Sequence, residues 1–246
     1  MSAAKLYVDL LIRTIANTIY GDRPQDPWSD ASYNESIRSE GRDWPSQAHS
    51  MVGVKRLENL RMLTERALAR GIPGDLIETG VWRGGACILM RGILAAHGVK
   101  DRKVVVADSF DGLPPPNPKS FPQDRDDTHH TFRQLAIPLE QVKTNFAAYD
   151  LLDAQVEFLK GWFRDTLPGQ RGRKWALIRL DGDMYESTLN GLENLYDSLS
   201  PGGFIIVDDY GAIAACRQAV DEFRAKHHID APMTSVDWTG IWWQKP

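Results

Sequence analysis

Three apolar runs in this chain each end at carboxylates: residues 104–108 close on Asp108, residues 175–181 on Asp181, and residues 203–209 on Asp208 and Asp209. Continuous apolar runs read as parallel strands buried on both faces, and open α/β sheets bind ligands at the carboxyl ends of such strands. Acids at those ends are therefore placed for chemistry. A single helical stretch separates Asp181 from Asp208, so in a parallel sheet the carboxylates of Asp181, Asp208 and Asp209 can converge on one point. Three adjacent carboxylates cannot all ionise without a counter-charge, and hard oxygen ligands select Mg²⁺ or Ca²⁺ over zinc. A divalent cation is the simplest solution. Asp183 reads as a helix cap or a solvent-facing residue and is set aside.

A fourth run, Leu76 and Ile77 followed by Glu78, Thr79 and Gly80, ends in an acid and a glycine turn that opens a helix. That geometry lets backbone approach a nucleotide-like ligand closely and offers free N–H groups at a helix start. Gly80, Gly84 and Gly85 do not give the GxGxxG spacing of dinucleotide sites, and no Gly-Lys-Ser/Thr of a P-loop follows. Asp108, with Ser109 after it, stands where an acid accepts the hydroxyls of a ribose. A carboxylate suits a diol and repels phosphate. A ligand with an adenosine part and no phosphates is S-adenosylmethionine, whose sulfonium and ammonium suit Glu78.

Strand-like and helical stretches alternate along the chain. Strands are expected at 75–78, 103–108, 156–159, 175–181 and 203–208, helices at 50–69, to about 97, at 138–148, 187–199 and 213–227, and two extended pieces at 233–236 and 241–244. This alternation implies a doubly wound α/β fold, Rossmann-like, with a mostly parallel sheet and right-handed crossovers. Residues 1–70 read as an N-terminal helical extension and lid, and residues 71–246 as the Rossmann-like domain, one compact unit overall. In the first twenty residues Leu6, Val8, Leu10, Leu11, Ile15 and Ile19 recur at helical spacing, which predicts a helix laid on the domain or on a second subunit. The stretch 21–45, with Pro24, Pro27 and Pro45, reads as irregular and mobile. In the last strand Trp242 and Trp243 alternate faces, one for the core and one for a subunit contact.

Composition narrows the function classes. The chain has 246 residues, 42% hydrophobic and 25% charged, enough for one well-buried soluble domain. A net charge of −4 with scattered Lys and Arg gives no footprint for nucleic acid. Cys87 and Cys216 have neither disulfide nor zinc spacing, and Lys5, Asp9 and Arg13 interrupt the first apolar stretch. The reading is a cytoplasmic protein with no membrane or nucleic-acid partner.

Five segments then carry a resemblance: 78–85 from Glu78 to Gly85, 107–112 around Asp108 and Ser109, 161–167 from Gly161 and Trp162, 180–185 around Asp181, and 207–210 with Asp208, Asp209 and Tyr210. In this order they resemble the signature segments of the macrocin O-methyltransferase family, whose members methylate hydroxyls, mostly on antibiotic deoxysugars. The resemblance runs from about residue 5 to the end. It implies that Glu78, Thr79 and Gly80 contact the methionine part of S-adenosylmethionine, Asp108 and Ser109 its ribose, and Gly161 and Trp162 its adenine. Asp181, Asp208 and Asp209 match the metal-binding acids, and Asp181 the general base. The stretch 33–44 and the helix start at 51–56 resemble the family's lid, with Met51 against the cofactor.

The expected activity is S-adenosylmethionine- and divalent-metal-dependent O-methylation of a glycosylated small molecule by a homo-oligomer, a dimer or higher. A catechol or other phenolic O-methyltransferase is the alternative, and a dehydrogenase or a non-catalytic nucleotide module fits the glycines and acids less well. Candidates for touching the acceptor are Glu35, His49 and Tyr210. The loop 111–131, with His129 and His130, is expected to shape the acceptor pocket, and its acids Asp124, Asp126 and Asp127 to form a solvated face.

Overall fold

A computed structural model describes residues 2–29 and 32–246 of the chain. The apolar runs form strands β1 (Asp75–Thr79), β2 (Val104–Asp108), β3 (Val156–Lys160), β4 (Trp175–Leu180) and β5 (Leu199–Val207), all parallel. Two late pieces, β6 (Thr234–Ser235) and β7 (Ile241–Gln244), run antiparallel, so one sheet has the order β3-β2-β1-β4-β5-β7-β6. The order reverses between β1 and β4, which opens a crevice at the carboxyl ends of those two strands.

Helices α1 (Ala3–Ile15), α2 (Glu35–Ser39), α3 (Gly53–Ala69), α4 (Gly85–Ala96), α5 (Leu139–Ala148), α6 (Phe163–Thr166), α7 (Tyr185–Leu195) and α8 (Ala214–Lys226) fill the connections. Leu57, Leu60 and Leu63 of α3 and Ile88 and Leu89 of α4 pack with Leu76 and Val104 on one side of the sheet. Leu192 of α7 and Val220 and Phe223 of α8 pack with Ile178 and Ile205 on the other. The strands are therefore buried on both faces, which is why they read as unbroken apolar runs.

Helix α1 buries Val8, Leu11, Ile12 and Ile15 in the same apolar layer as α3 and α4, so it is laid on the domain. Trp243 is fully buried, while Trp242 is half-buried with its ring 5.8 Å from that of Phe204.

Two expectations about loops need correction. The stretch 21–45, read as irregular and mobile, contains α2 and an antiparallel bridge between Pro24 and Pro45. Its anchor is the buried guanidinium of Arg38, 2.7 Å from Asp22 and 2.8 Å from Asp43. The tie is ionic, so hydrophobic periodicity has no way to reveal it.

The acids of the 111–131 loop are not one solvated face. Asp124 is buried and accepts the backbone N–H groups of Tyr185 at 2.7 Å and Glu186 at 2.9 Å, which caps the first turn of α7. Asp127 accepts from the His129 backbone at 2.9 Å, and one of its oxygens lies 2.6 Å from the His129 ring nitrogen Nδ1. Asp126 alone of the three is exposed.

Candidate active site

A cleft opens at the carboxyl ends of β1, β2 and β4. Glu78, Gly80, Asp108, Ser109, Gly161, Trp162, Asp181 and Met51 all line it. They come from the ends of four strands and from the segment before α3, and the parallel sheet alone gathers them.

Each strand end has a local reason. Gly80 has φ +84°, and a Cβ on it would lie 1.6 Å from the carbonyl oxygen of Asp181, so only glycine lets β1 turn past the end of β4. Asp108 accepts the Val81 and Phe110 backbone N–H groups, each at 2.7 Å. Those bonds fix the carboxylate at the cleft wall, although burial holds its pKa above the usual carboxylate range. Trp162, half-buried, sets its indole at the cleft just past β3.

Asp181, Asp208 and Asp209 do converge, with one carboxylate oxygen of each within 4.8 Å of the others. The ladder explains it: the Asp181 N–H donates to Thr79 at 2.9 Å and the Asp208 N–H to Leu180 at 2.9 Å, so hydrogen bonding between the strands continues just past their ends. The counter-charge that the sequence assigned to a cation is supplied in part by two arginines. Arg179, fully buried in β4, donates to Glu78, to Asp208 and, at 2.7 Å, to Asp181. Arg56 of α3 donates to the other oxygen of Asp208.

Two guanidinium groups thus face four carboxylates, Glu78 included, and leave a negative remainder. Burial and the neighbouring Asp208 push Asp181 up to about 8. Burial and Asp183 hold Asp209 well above the usual range. An all-oxygen donor set with excess negative charge fits a hard divalent cation, which would take the place of those protons.

Asp183, set aside in the sequence, belongs to the site. It lines the cleft, holds φ +56°, and its backbone N–H donates to Asp209 at 3.2 Å. Burial raises it to about 6 against the attraction of His129. A left-handed conformation at a non-glycine residue marks a position over-determined by its surroundings.

Other candidates fall elsewhere. Thr79 is buried in β1 outside the cleft lining, because successive side chains of a strand face opposite ways. The His49 ring nitrogen Nδ1 lies 2.9 Å from the Tyr149 hydroxyl, and its carbonyl accepts the N–H of Gly85, so its partners are structural. The Tyr210 hydroxyl donates to Asp221 on α8 at 2.9 Å. Glu35 is exposed at the first turn of α2. Of the lid stretch, Met51 reaches the cleft lining and residues 33–44 do not.

The sequence reading missed Arg179 and Arg56. Arg179 had a signal: one charge inside an otherwise apolar strand, two residues before Asp181 and so on the same face, must be paired. Arg56 had none, because its partners Asp208 and Asp237 are far along the chain.

A parallel sheet that reverses at its first and fourth strands, an antiparallel strand inserted beside the fifth, a glycine turn after β1 and an acid closing β2 define a class I, Rossmann-like methyltransferase. The sequence profile of the macrocin-O-methyltransferase (TylF) family matches residues 4–245, and the chain belongs to that family. It is an S-adenosylmethionine-dependent O-methyltransferase. It is 50% identical to the demethyldecarbamoylnovobiocin O-methyltransferase of Streptomyces niveus, covering 99% of this chain and 95% of the relative. It is 52% identical to the 8-demethyl-8-(2,3-dimethoxy-alpha-L-rhamnosyl)-tetracenomycin-C 4'-O-methyltransferase of Streptomyces olivaceus, over 98% and 93%. The solved O-methyltransferase NovP superposes with a TM-score of 0.93 at 51% identity, over 98% of this chain and 99% of that one. Among the described residues no helix is long and apolar enough to cross a membrane.

Proposed function

We propose that the protein methylates a hydroxyl of a deoxysugar carried by a glycosylated natural product, with a divalent cation held by Asp181, Asp208 and Asp209. The observation that carries this reading is the juxtaposition of that oxygen cluster with a cleft lined by Glu78, Asp108 and Trp162. One of the relatives at about 50% identity bears a name that specifies methylation of a rhamnosyl derivative, which supports a sugar as acceptor.

The residues divide the work. Glu78 and the Gly80 turn hold the methionine part of the methyl donor, Asp108 and Ser109 the ribose, and Gly161 and Trp162 the adenine. Methyl transfer from a sulfonium is an in-line displacement, so the protein must align donor and hydroxyl and accept a proton. Asp181 stands at the cleft wall to take that proton. A cation at the three acids would supply Lewis acidity towards vicinal hydroxyls of the sugar.

The test is calorimetric titration of S-adenosylmethionine into metal-stripped protein, repeated with Mg²⁺ and with Asp208→Asn, followed by an acceptor screen of glycosylated macrolides and aminocoumarins against catechols. Binding of the donor, Mg²⁺ uptake that the variant loses, and turnover of a glycosylated acceptor are expected. Turnover of the catechols alone would overturn the sugar assignment, and absence of Mg²⁺ uptake the cation.

A further inference from the structure

Arg56 projects from α3 into a junction outside the cleft. Its Nη2 donates to the carbonyl of Gly41 at 3.1 Å, just beyond α2. Its Nε donates to Asp237, in the loop before β7, at 3.1 Å, and its Nη1 to Asp208. One planar guanidinium thus joins the segment after α2, the loop before β7 and an acid of the cluster. It is 8% exposed, so each of its bonds stands where water cannot readily replace it.

The junction is built from several directions. The indole Nε1 of Trp238 donates to the carbonyl of Glu40 at 2.8 Å, and the guanidinium of Arg42 lies 4.3 Å from the Trp238 ring. The Thr239 hydroxyl donates to the backbone carbonyl of Asp208 at 2.9 Å. Gly53, at the start of α3, has φ +76°, and a Cβ there would lie 2.3 Å from the Gly41 nitrogen, so the segment after α2 seats directly on the helix that carries Arg56. On the far side Asp208 is held through its second oxygen by Arg179.

We propose that Arg56 is a positioning residue that makes the docking of segment 35–44 and the placement of Asp208 a single event. A guanidinium presents its donors in a fixed plane, so the orientation that serves Gly41 is the orientation that serves Asp208. When the segment lifts, Arg56 loses one of the three acceptors that fix its plane, and its hold on Asp208 loosens relative to that of Arg179. By linkage the effect is reciprocal: whatever fixes Asp208 also holds the segment down. The tie itself rests on this geometry. Its meaning for catalysis rests on reading Asp208 as a cation ligand.

The test is hydrogen–deuterium exchange of peptides spanning 35–44 in the wild type, Asp208→Asn, Arg56→Lys and the double variant, each checked for unchanged S-adenosylhomocysteine binding. Asp208 bonds to nothing in that segment, yet Asp208→Asn should speed its exchange by about tenfold, Arg56→Lys should do the same, and the double variant should go no further. Wild-type exchange in Asp208→Asn, or effects that multiply in the double variant, would overturn the proposal. Should Asp208→Asn fail to fold, Trp238→Phe reads the coupling from the other end by removing the bond to Glu40. Calorimetric Mg²⁺ uptake should then weaken by about tenfold with S-adenosylhomocysteine binding unchanged, and unaltered uptake would sink the idea. A wild type that takes up no Mg²⁺ would refute the cation assignment alone, because the exchange measurement needs no metal.

Discussion

Arg179 in β4 and Asp181 just past its end stand two residues apart, and the guanidinium of the first lies 2.7 Å from the carboxylate of the second. The i, i+2 spacing puts both on one face, so β4 carries its own counter-charge to the ligand-binding edge of the sheet. Arg179→Met removes a buried cation from three carboxylates at once. It should cost about 3 kcal/mol or more, read as a lower urea midpoint, whereas a loss below about 1 kcal/mol would mean that the acids are neutral without it.

Asp181→Asn keeps the shape of the cleft and removes the proton acceptor. Turnover should fall by about a hundredfold to ten-thousandfold, with S-adenosylhomocysteine still binding as in the wild type. Near-normal turnover in a single-turnover assay would take Asp181 out of the proton-transfer step.

Acidity controls cation uptake. Burial and Asp208 raise Asp181 to about 8, and burial with Asp183 holds Asp209 well above the ordinary carboxylate range, so at neutral pH the cation must displace protons from both. Apparent Mg²⁺ affinity should climb by about tenfold or more per pH unit between pH 6 and 8. Calorimetry in buffers of different ionisation enthalpy would count the released protons, and an affinity independent of pH between 6 and 8 would contradict the assignment.

Gly80→Ala is a sharp test of the turn after β1. Its Cβ would fall 1.6 Å from the Asp181 carbonyl, so β1 or β4 must move. The variant should lose about 2 kcal/mol or more of stability and bind S-adenosylhomocysteine poorly, and unimpaired calorimetric binding would show that the turn does not set the cleft.

The Asp127 and His129 pair adds a second pH dependence. The bond to Asp127 raises His129 above its ordinary 6.5, so its stabilisation is complete below that pH and is lost as pH rises through the folded value. Burial opposes ionisation of Asp127, yet the bond and charge of His129 outweigh it and set it below 3.8, so its own contribution is lost on acidification through that lower value. His129→Gln should therefore destabilise by up to about 1 kcal/mol near pH 5 and have no effect well above the raised His129 value, measured by thermal unfolding across pH. An equal loss at every pH would assign the effect to packing.

Much of this architecture was readable because the apolar runs that end at Asp108, Asp181 and Asp208 are short-range patterns set by burial on two faces. The glycine turn at Gly80 and the convergence of three acids followed from strand alternation alone. The ion pairs that fix their geometry were not readable. Arg56 meets Asp208 across 152 residues, and Arg38 meets Asp22 inside a stretch without periodicity. For His49 the sequence left two readings open, because a histidine beside a helix start looks the same whether it faces a ligand or hydrogen-bonds within the fold, and its Nδ1 lies 2.9 Å from the Tyr149 hydroxyl.

The cap that Asp124 places on α7 has a practical consequence. Asp124 pins the loop before α5 to the helix that follows the Asp181 turn. A graft that brings in another enzyme's loop without that carboxylate would unseat the start of α7 along with it. Asp124 is the register pin between that loop and the helix, to be carried over in any exchange of the loop.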